Sequence, residues 1–208
     1  NKKRQRQGLP PVEPLYTMKD AASCMHLFVS VPYNLMFSIT PDFAFQFVDT
    51  GHMLGSSAIY MKFKEKRKTK TLCYTGDIGR YNKKILPDPN PFPQADYIIT
   101  ESTYGDRLHT TLDKAEEDLF LIVHDACAKR KGKLIIPSFA IGRTQEIVYA
   151  LHRLKLSNAL PDIDIFVDSP LAVSATDIYR LHTDCFNEDM QDFITKSNDP
   201  FGFENLHY

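Results

Sequence analysis

From Phe43 to Val48, large aromatic residues alternate with smaller ones, Phe43-Ala44-Phe45-Gln46-Phe47-Val48. This is the period of a strand with one buried face. Thr71-Leu72-Cys73-Tyr74 is β-branched and aromatic and reads as a second strand, with Lys62–Lys70 between them as a charged hairpin tip. Upstream, a short helix is predicted from Tyr16 to about Leu27. Thr17 is its N-cap, Asp20 completes a capping box, and Val31-Pro32-Tyr33 ends it. The proline-dense segment Asp88–Pro93 marks a boundary, and Tyr97–Thr100 reads as a buried strand running into Glu101.

Beyond that point helical and strand periods alternate. Ala115, Leu119, Ile122, Val123 and Ala126 fall at helical spacing after a Thr110-x-x-Asp113 start signal, and Leu134–Ile136 reads as a strand. Gly142 leads into a helix carrying Ile147, Val148, Leu151 and Leu154 on one face and ending near Asn158 and Pro161. Ile163–Val167 reads as a strand and Ser174 to about His182 as a helix. Such alternation predicts a parallel sheet with helices packed against it.

Bulk numbers add limits. The 208 residues suffice for one large domain or parts of two. A hydrophobic share of 43% with 25% charged residues is that of a globular protein. Net charge of −1 gives no global pull on nucleic acid, so such binding must rest on local patches. Lys2–Arg6 and the KFKEKRKTK tip are two such patches, and a solvated arm and a solvated turn are their simpler readings. Cys24, Cys73, Cys127 and Cys185 form no CxxC pair and read as reduced, buried thiols of a cytoplasmic protein. No apolar run reaches the roughly 20 residues of a bilayer span, and no signal peptide or membrane contact is expected. The chain opens on Asn1 and is expected to be a piece of something longer.

Candidate chemistry gathers on two glycine turns. His52 follows Gly51 and Asp77 follows Gly76, each at the end of a strand signal, 25 residues apart. Neutral imidazole and carboxylate both ligate zinc, but a His and an Asp in such turns also read as turn residues, and two ligands do not close a site. Asp49 is either a support for them or a strand-end cap, and His26 reads as structural. Three further strand ends are polar: Glu101, Ser138 and Asp168. In α/β sheets such ends line the ligand crevice. The turn Ser138–Arg143 offers backbone N–H groups, a hydroxyl and a guanidinium at a helix N-terminus, either as a phosphate site or as a capped helix with a surface Arg.

The wording around these residues is more specific. DTGHMLGSSAI, TGDIGR, TESTYGDR and PSFAIGRTQEIVYAL, with DSPLA and the closing FGFENLHY, resemble the β-CASP nucleases of the metallo-β-lactamase superfamily, of the cleavage-and-polyadenylation-factor type. The likeness runs from about Leu9 to Tyr208. It implies part of an αββα sandwich over residues 1–107, followed by part of an α/β β-CASP domain with a mainly parallel sheet over 108–208. It also implies two zinc ions and a water that attacks a phosphodiester. By motif match His52 is a ligand of one zinc, Asp77 bridges both, and Glu101 organises the polar network of the site. Ser138 and Arg143 are the substrate-binding candidates.

The family's His-x-His-x-Asp-His segment occurs nowhere in these residues and is expected upstream of Asn1, with further histidines and strands beyond Tyr208. The expected function is therefore zinc-dependent hydrolysis of RNA by the parent protein, the fragment itself being inactive. The alternative is a non-catalytic relative that binds RNA or scaffolds a processing complex. A small-molecule metallo-hydrolase is disfavoured by the helical insert starting near Leu108. The expected partner is RNA, with DNA as the other candidate, together with a homo-oligomer or a processing complex.

Overall fold

The computed structural model describes residues 1–108, 114–197 and 199–208. Two compact units are present, Asn1–Pro32 and Tyr33–Tyr208. The first holds α1 (Lys2–Arg6) and α2 (Met18–Cys24), the latter running on as a 3-10 turn through Leu27. Asn1 closes the α1 segment by exchanging hydrogen bonds with the backbone of Val12, so the expected basic arm contains one helical turn. At α2 both halves of the capping box form. The Asp20 carboxylate accepts from the Thr17 amide at 2.8 Å, and the Thr17 hydroxyl accepts from the Asp20 amide at 3.4 Å. His26 lies on the 3-10 turn and is exposed.

The second unit begins with a five-stranded sheet in chain order: β1 (Phe37–Thr40), β2 (Phe43–Asp49), β3 (Ser57–Glu65), β4 (Lys68–Tyr74) and β5 (Tyr97–Ile99). The first four strands pair antiparallel, whereas β5 runs parallel to β4. One sheet face buries Val48, Ala58, Tyr60 and Cys73 against Met36, Phe92 and Ala95. The opposite face carries the aromatic positions. Phe37 stacks on Phe45 and Phe45 meets Phe47 edge-on, yet these rings are only half-buried. The alternation predicted from Phe43 to Val48 is present, but the tightly packed side is the one with the smaller residues.

Helices follow: α3 (Ala115–Val123), continued by a π-turn through Lys129; α4 (Arg143–Leu156); α5 (Pro170–Leu181); and α6 (Glu188–Ser197). The short strands β6 (Ile165–Phe166) and β7 (Leu206–His207) pair in parallel. The architecture is mixed α/β with a mostly antiparallel sheet and helices, consistent with the expected fold class, and the parallel pairing expected over 108–208 is represented among the described residues by β6 and β7. A second core gathers Ile85 and Leu86 with Val148 and Tyr149 of α4, Tyr179 of α5, Phe186, Met190 of α6 and Phe201. This core joins residues from both sides of position 107.

Several sequence expectations change. Tyr97–Ile99 forms a strand but not a buried one. All three residues are more than half exposed, because β5 is the edge of its sheet. Leu134–Ile136 joins no strand ladder and Ile135 is 86% exposed; β-branched composition makes a strand only where a partner strand supplies hydrogen bonds. The buried stripe of α4 is Thr144, Gln145, Val148, Tyr149, Leu151 and His152, with Ile147 and Leu154 at its margins. The helix expected from Ser174 starts at Pro170, because Ser169 caps it by accepting from the Ala172 amide. Cys24 is exposed rather than buried, and all four cysteines are free thiols. The Thr110-x-x-Asp113 signal lies outside the described residues. Among the described residues no helix is long and apolar enough to cross a membrane.

Candidate active site

β2 ends at Asp49, whose carboxylate accepts from the Gly51 amide at 2.7 Å, so Asp49 is the cap of the first turn. Gly51 adopts φ +59, a left-handed conformation that L side chains rarely take. The loop then folds onto one hydroxyl. Ser56 Oγ accepts from the amides of His52 at 3.1 Å and Met53 at 3.2 Å, and from the Thr50 hydroxyl at 3.0 Å. The Tyr33 hydroxyl donates to the Ser56 carbonyl, and burial, with the charge of Asp49 second, pushes its pKa up to about 12.

The second turn follows β4. Thr75 continues the ladder by donating to the Ile99 carbonyl, and Gly76 takes φ +58. The chain then returns against the first turn, with the Gly79 amide donating to the Thr50 carbonyl at 2.8 Å. The approach is so close that a Cβ on Gly79 would lie 2.2 Å from the Gly51 carbonyl oxygen. The turns that carry His52 and Asp77 are thus locked backbone to backbone.

A third element enters from β5. Glu101 Oε1 accepts from the Ile78 amide at 2.7 Å, and Oε2 accepts from the Thr103 hydroxyl at 2.9 Å. Both carboxylate oxygens are therefore engaged, one holding the peptide that follows Asp77 and the other held by Thr103. The outcome is that His52 Nε2 lies 3.7 Å from Asp77 Oδ2, with the side chains 35% and 70% exposed. Zinc held at about 2.0–2.2 Å in a tetrahedral shell sets two ligand atoms roughly 3.4 Å apart, so this pair has the spacing of two neighbouring donors. Among the described residues no group of three or more His, Cys, Asp or Glu converges to hold a metal. The pair fits part of a metal site, not a whole one.

Two residues absent from the sequence expectations complete the frame. Lys83 Nζ donates to the His52 carbonyl at 2.6 Å, and the Asn187 amide group donates in turn to the Lys83 carbonyl at 2.9 Å. Asn187 also caps α6 by accepting from the Met190 amide, so that helix anchors the segment that grips the His52 turn. Burial pushes the Lys83 ammonium below its ordinary value. The carboxylate of Glu146 opposes this, and Arg143 and Arg80 add to it, so the start of α4 lies within electrostatic range of Lys83.

At the end of the Ser138–Arg143 turn and the start of α4 the donors have protein partners. The Gly142 amide donates to Gln145 Oε1 at 2.7 Å, that of Arg143 to the Ile141 carbonyl, and that of Thr144 to the Phe139 carbonyl. Ser138 Oγ shares a hydrogen bond with Thr144 Oγ1 at 2.8 Å. Gln145 is fully buried; its Nε2 donates to the Ala140 carbonyl and to Thr176 Oγ1, which ties the turn to α5. The Arg143 guanidinium is more than half exposed and pairs with Glu146 at 2.9 Å. Asp168 is exposed just before α5. Nothing local in the sequence singles out Lys83, Asn187 or Gln145. The one signal was a polar Gln at a position that helical spacing assigns to a buried face.

Comparison with known proteins agrees with this frame. Residues 144–208 match the Beta-Casp domain. The chain is 34% identical over 155 residues to Ribonuclease TTHA0252 of Thermus thermophilus, a stretch covering 74% of this chain and 34% of that protein. It is 31% identical over 189 residues to an RNase J-like protein of Methanocaldococcus jannaschii, covering 90% of this chain and 44% of the relative. It is 28% identical over 202 residues to Endoribonuclease YSH1 of Kluyveromyces lactis, covering 93% and 25%. The chain thus spans between a quarter and less than half the length of these relatives. By its domain match and by relatives that align along most of it, the chain belongs to the β-CASP family.

Proposed function

We propose that the protein containing this chain hydrolyses RNA phosphodiester bonds as a zinc-dependent nuclease. The observation that carries the reading is the pairing of His52 and Asp77 at 3.7 Å, on turns locked together by glycine contacts, in a chain whose relatives are named ribonucleases. His52 and Asp77 would contribute ligands to a two-zinc centre. Two such ions, when bound, lower the pKa of a bound water and stabilise attacking and leaving oxygens.

The remaining roles follow from the hydrogen bonds. Glu101 has both oxygens engaged, so it orients the Asp77 turn instead of ligating. Lys83 fixes the His52 backbone from the other side. Arg143 is the phosphate contact, exchanging Glu146 for a substrate oxygen in a charge-assisted hydrogen bond. Ser138 supports it by shaping the turn through Thr144 and by offering its hydroxyl to the same phosphate. With two ligands of its own, this chain by itself binds zinc weakly and hydrolyses little. We assign it to the cytoplasm on its four free thiols, and to a homo-oligomer or a processing complex.

The test uses the full-length protein. Asp77→Ala abolishes single-turnover cleavage and lowers zinc content. Arg143→Ala keeps the zinc but weakens RNA binding by roughly 1.5–3 kcal/mol, the scale of a hydrogen bond to a charged group. A full-length protein that binds RNA yet neither retains zinc nor cleaves would overturn the reading in favour of a non-catalytic scaffold. Unchanged RNA affinity in Arg143→Ala would return that residue to a surface helix start.

A further inference from the structure

The strands that carry the candidate site also carry, at their other end, a dense run of positive charge. Six of the nine residues from Lys62 to Lys70 are Lys or Arg and one is acidic, in a chain whose net charge is −1. The rung Glu65–Lys68 lies six residues along β3 from the rung Ile59–Tyr74, about 20 Å at the usual strand rise. Tyr74 is three residues from Asp77. One hairpin therefore reaches from the site to a cationic tip.

Few of these cations are neutralised within the fold. Lys64 pairs with Asp42 at 2.8 Å, and Lys70 lies 5.5 Å over the Tyr97 ring. Lys66, Arg67 and Lys68 are exposed, with no carboxylate within ion-pair distance among the described residues. Strand alternation puts Lys62 and Lys64 on one face beside Thr69 and Thr71, and Lys68 and Lys70 on the other. The first face borders a hollow of about 190 Å³ in which Lys62, Lys64, Ser38, Thr40 and Thr69 stand beside the Asp42 carboxylate and the apolar Phe43 and Phe63, so that hollow is already internally paired. The three exposed cations Lys66, Arg67 and Lys68, spread around a narrow tip, fit a polyanion that passes over it and not a compact anion held in a pocket.

The geometry points to the β3–β4 tip as a second contact surface for RNA, which holds the phosphate backbone of single-stranded substrate at the far end of the hairpin, about 20 Å beyond the Ile59–Tyr74 rung that leads to the site. This rests on the nuclease reading of the His52–Asp77 site. The tip supplies affinity without sequence preference, because phosphate contacts position a strand and do not read it. Longer substrates gain from it, and short ones that fill only the site do not.

The experiment compares full-length wild type with the combined variant Lys66→Asn, Arg67→Ser, Lys68→Ser. Asn is chosen because Lys66 sits at φ 58, where Asn is tolerated. Binding is measured across a salt series for a short RNA and for the same RNA with a single-stranded tail of about ten nucleotides, within the footprint range of single-strand binding proteins. Loss of three phosphate contacts lowers the salt slope for the tailed RNA by about 2 and weakens it about tenfold at low salt. Binding and cleavage of the short RNA stay as in wild type, which also shows that the variant folds. Unchanged affinity and slope for the tailed RNA overturn the proposal and leave a solvated turn. Equal weakening of both RNAs overturns it too, since the effect then reaches the site itself. Loss of an acidic protein partner with RNA binding intact assigns the tip to that partner instead. If wild type binds neither RNA, the nuclease reading falls as well.

Discussion

The two ends of the β3–β4 hairpin are built on opposite principles. At the site end the two turns are held by each other and by neighbouring side chains. Gly79 abuts Gly51, Ser56 gathers the amides of His52 and Met53, Glu101 takes the Ile78 amide, and Lys83 takes the His52 carbonyl. At the tip, Lys66 accepts a left-handed backbone without being glycine, and its neighbours are exposed cations. Precision costs conformational freedom, and this chain confines it to the end where two ligand atoms must meet within a few tenths of an ångström. A surface that only attracts phosphate needs charge and reach, and both survive mobility.

The comparison breaks most visibly if the site end tolerates a single methyl group. Gly79→Ala places a Cβ into the Gly51 carbonyl, where backbone opposes backbone and no side chain can swing away. We expect a loss of about 3 kcal/mol or more, the upper end of overpacking costs, read by urea unfolding. The His52–Asp77 pair should separate, and metal content of the full-length protein should fall with it. Wild-type stability in this variant would show that the two turns are not locked.

Lys83 tests the same end from outside the hairpin. Lys83→Met keeps the chain length but removes the donor to the His52 carbonyl. A hydrogen bond from a charged group is worth about 1.5 kcal/mol at the low end, which suits a half-buried ammonium. The loss should appear as faster amide exchange at Met53 and His52 and as weaker metal binding, and Lys83→Arg should restore part of it. Equal exchange across residues 50–56 would detach Lys83 from the site.

The middle of the hairpin is sensitive to acid. Asp96 Oδ2 accepts from both the amide and the hydroxyl of Thr71, on β4, at 2.8 and 3.0 Å. The backbone hydrogen bond first, then the hydroxyl, hold its pKa below the ordinary 3.8, with exposed surroundings adding little. Because the folded value is the lower one, the contribution is present in full above 3.8 and is lost as pH falls through the folded value. Protection of the Thr71 amide should therefore drop in that acid window, and Asp96→Asn should remove the pH dependence. A Thr71 amide that exchanges equally above and below the window would remove Asp96 from the account.

What was legible in the sequence follows the range of each interaction. Thr17 and Asp20 are three residues apart, and their capping box was readable in both directions. The glycine turns at 51 and 76 and the hairpin tip are likewise local patterns, and the two glycines take the left-handed backbone that glycine favours. Lys83 meets His52 across 31 positions, and Asn187 meets Lys83 across 104. No local period encodes such pairs. The same limit explains Tyr97–Ile99 and Leu134–Ile136, where apolar composition signals a strand but burial depends on which other layers cover it. Gln145 is the middle case, a polar residue on an apolar face whose satisfaction by Gly142, Ala140 and Thr176 only the fold discloses.

The smallest expected effect belongs to the tip and has the opposite sign. Lys66 holds φ 58, a conformation that costs an L residue roughly 1–2 kcal/mol. Glycine removes that cost but gives up about 0.5–1 kcal/mol of backbone entropy on folding. Lys66→Gly should therefore raise stability by about 0.5 kcal/mol, while at the site end a change between the same kinds of residue destabilises. Urea midpoints of wild type and variant, compared at constant slope, resolve a difference of this size. The same variant removes one cation, so its salt slope for a tailed RNA should fall by about 0.7 even as the fold becomes more stable. Stability and RNA binding moving in opposite directions would separate the tip's charge from its structure. If both fall together, the left-handed turn at Lys66 is itself part of what presents Arg67 and Lys68.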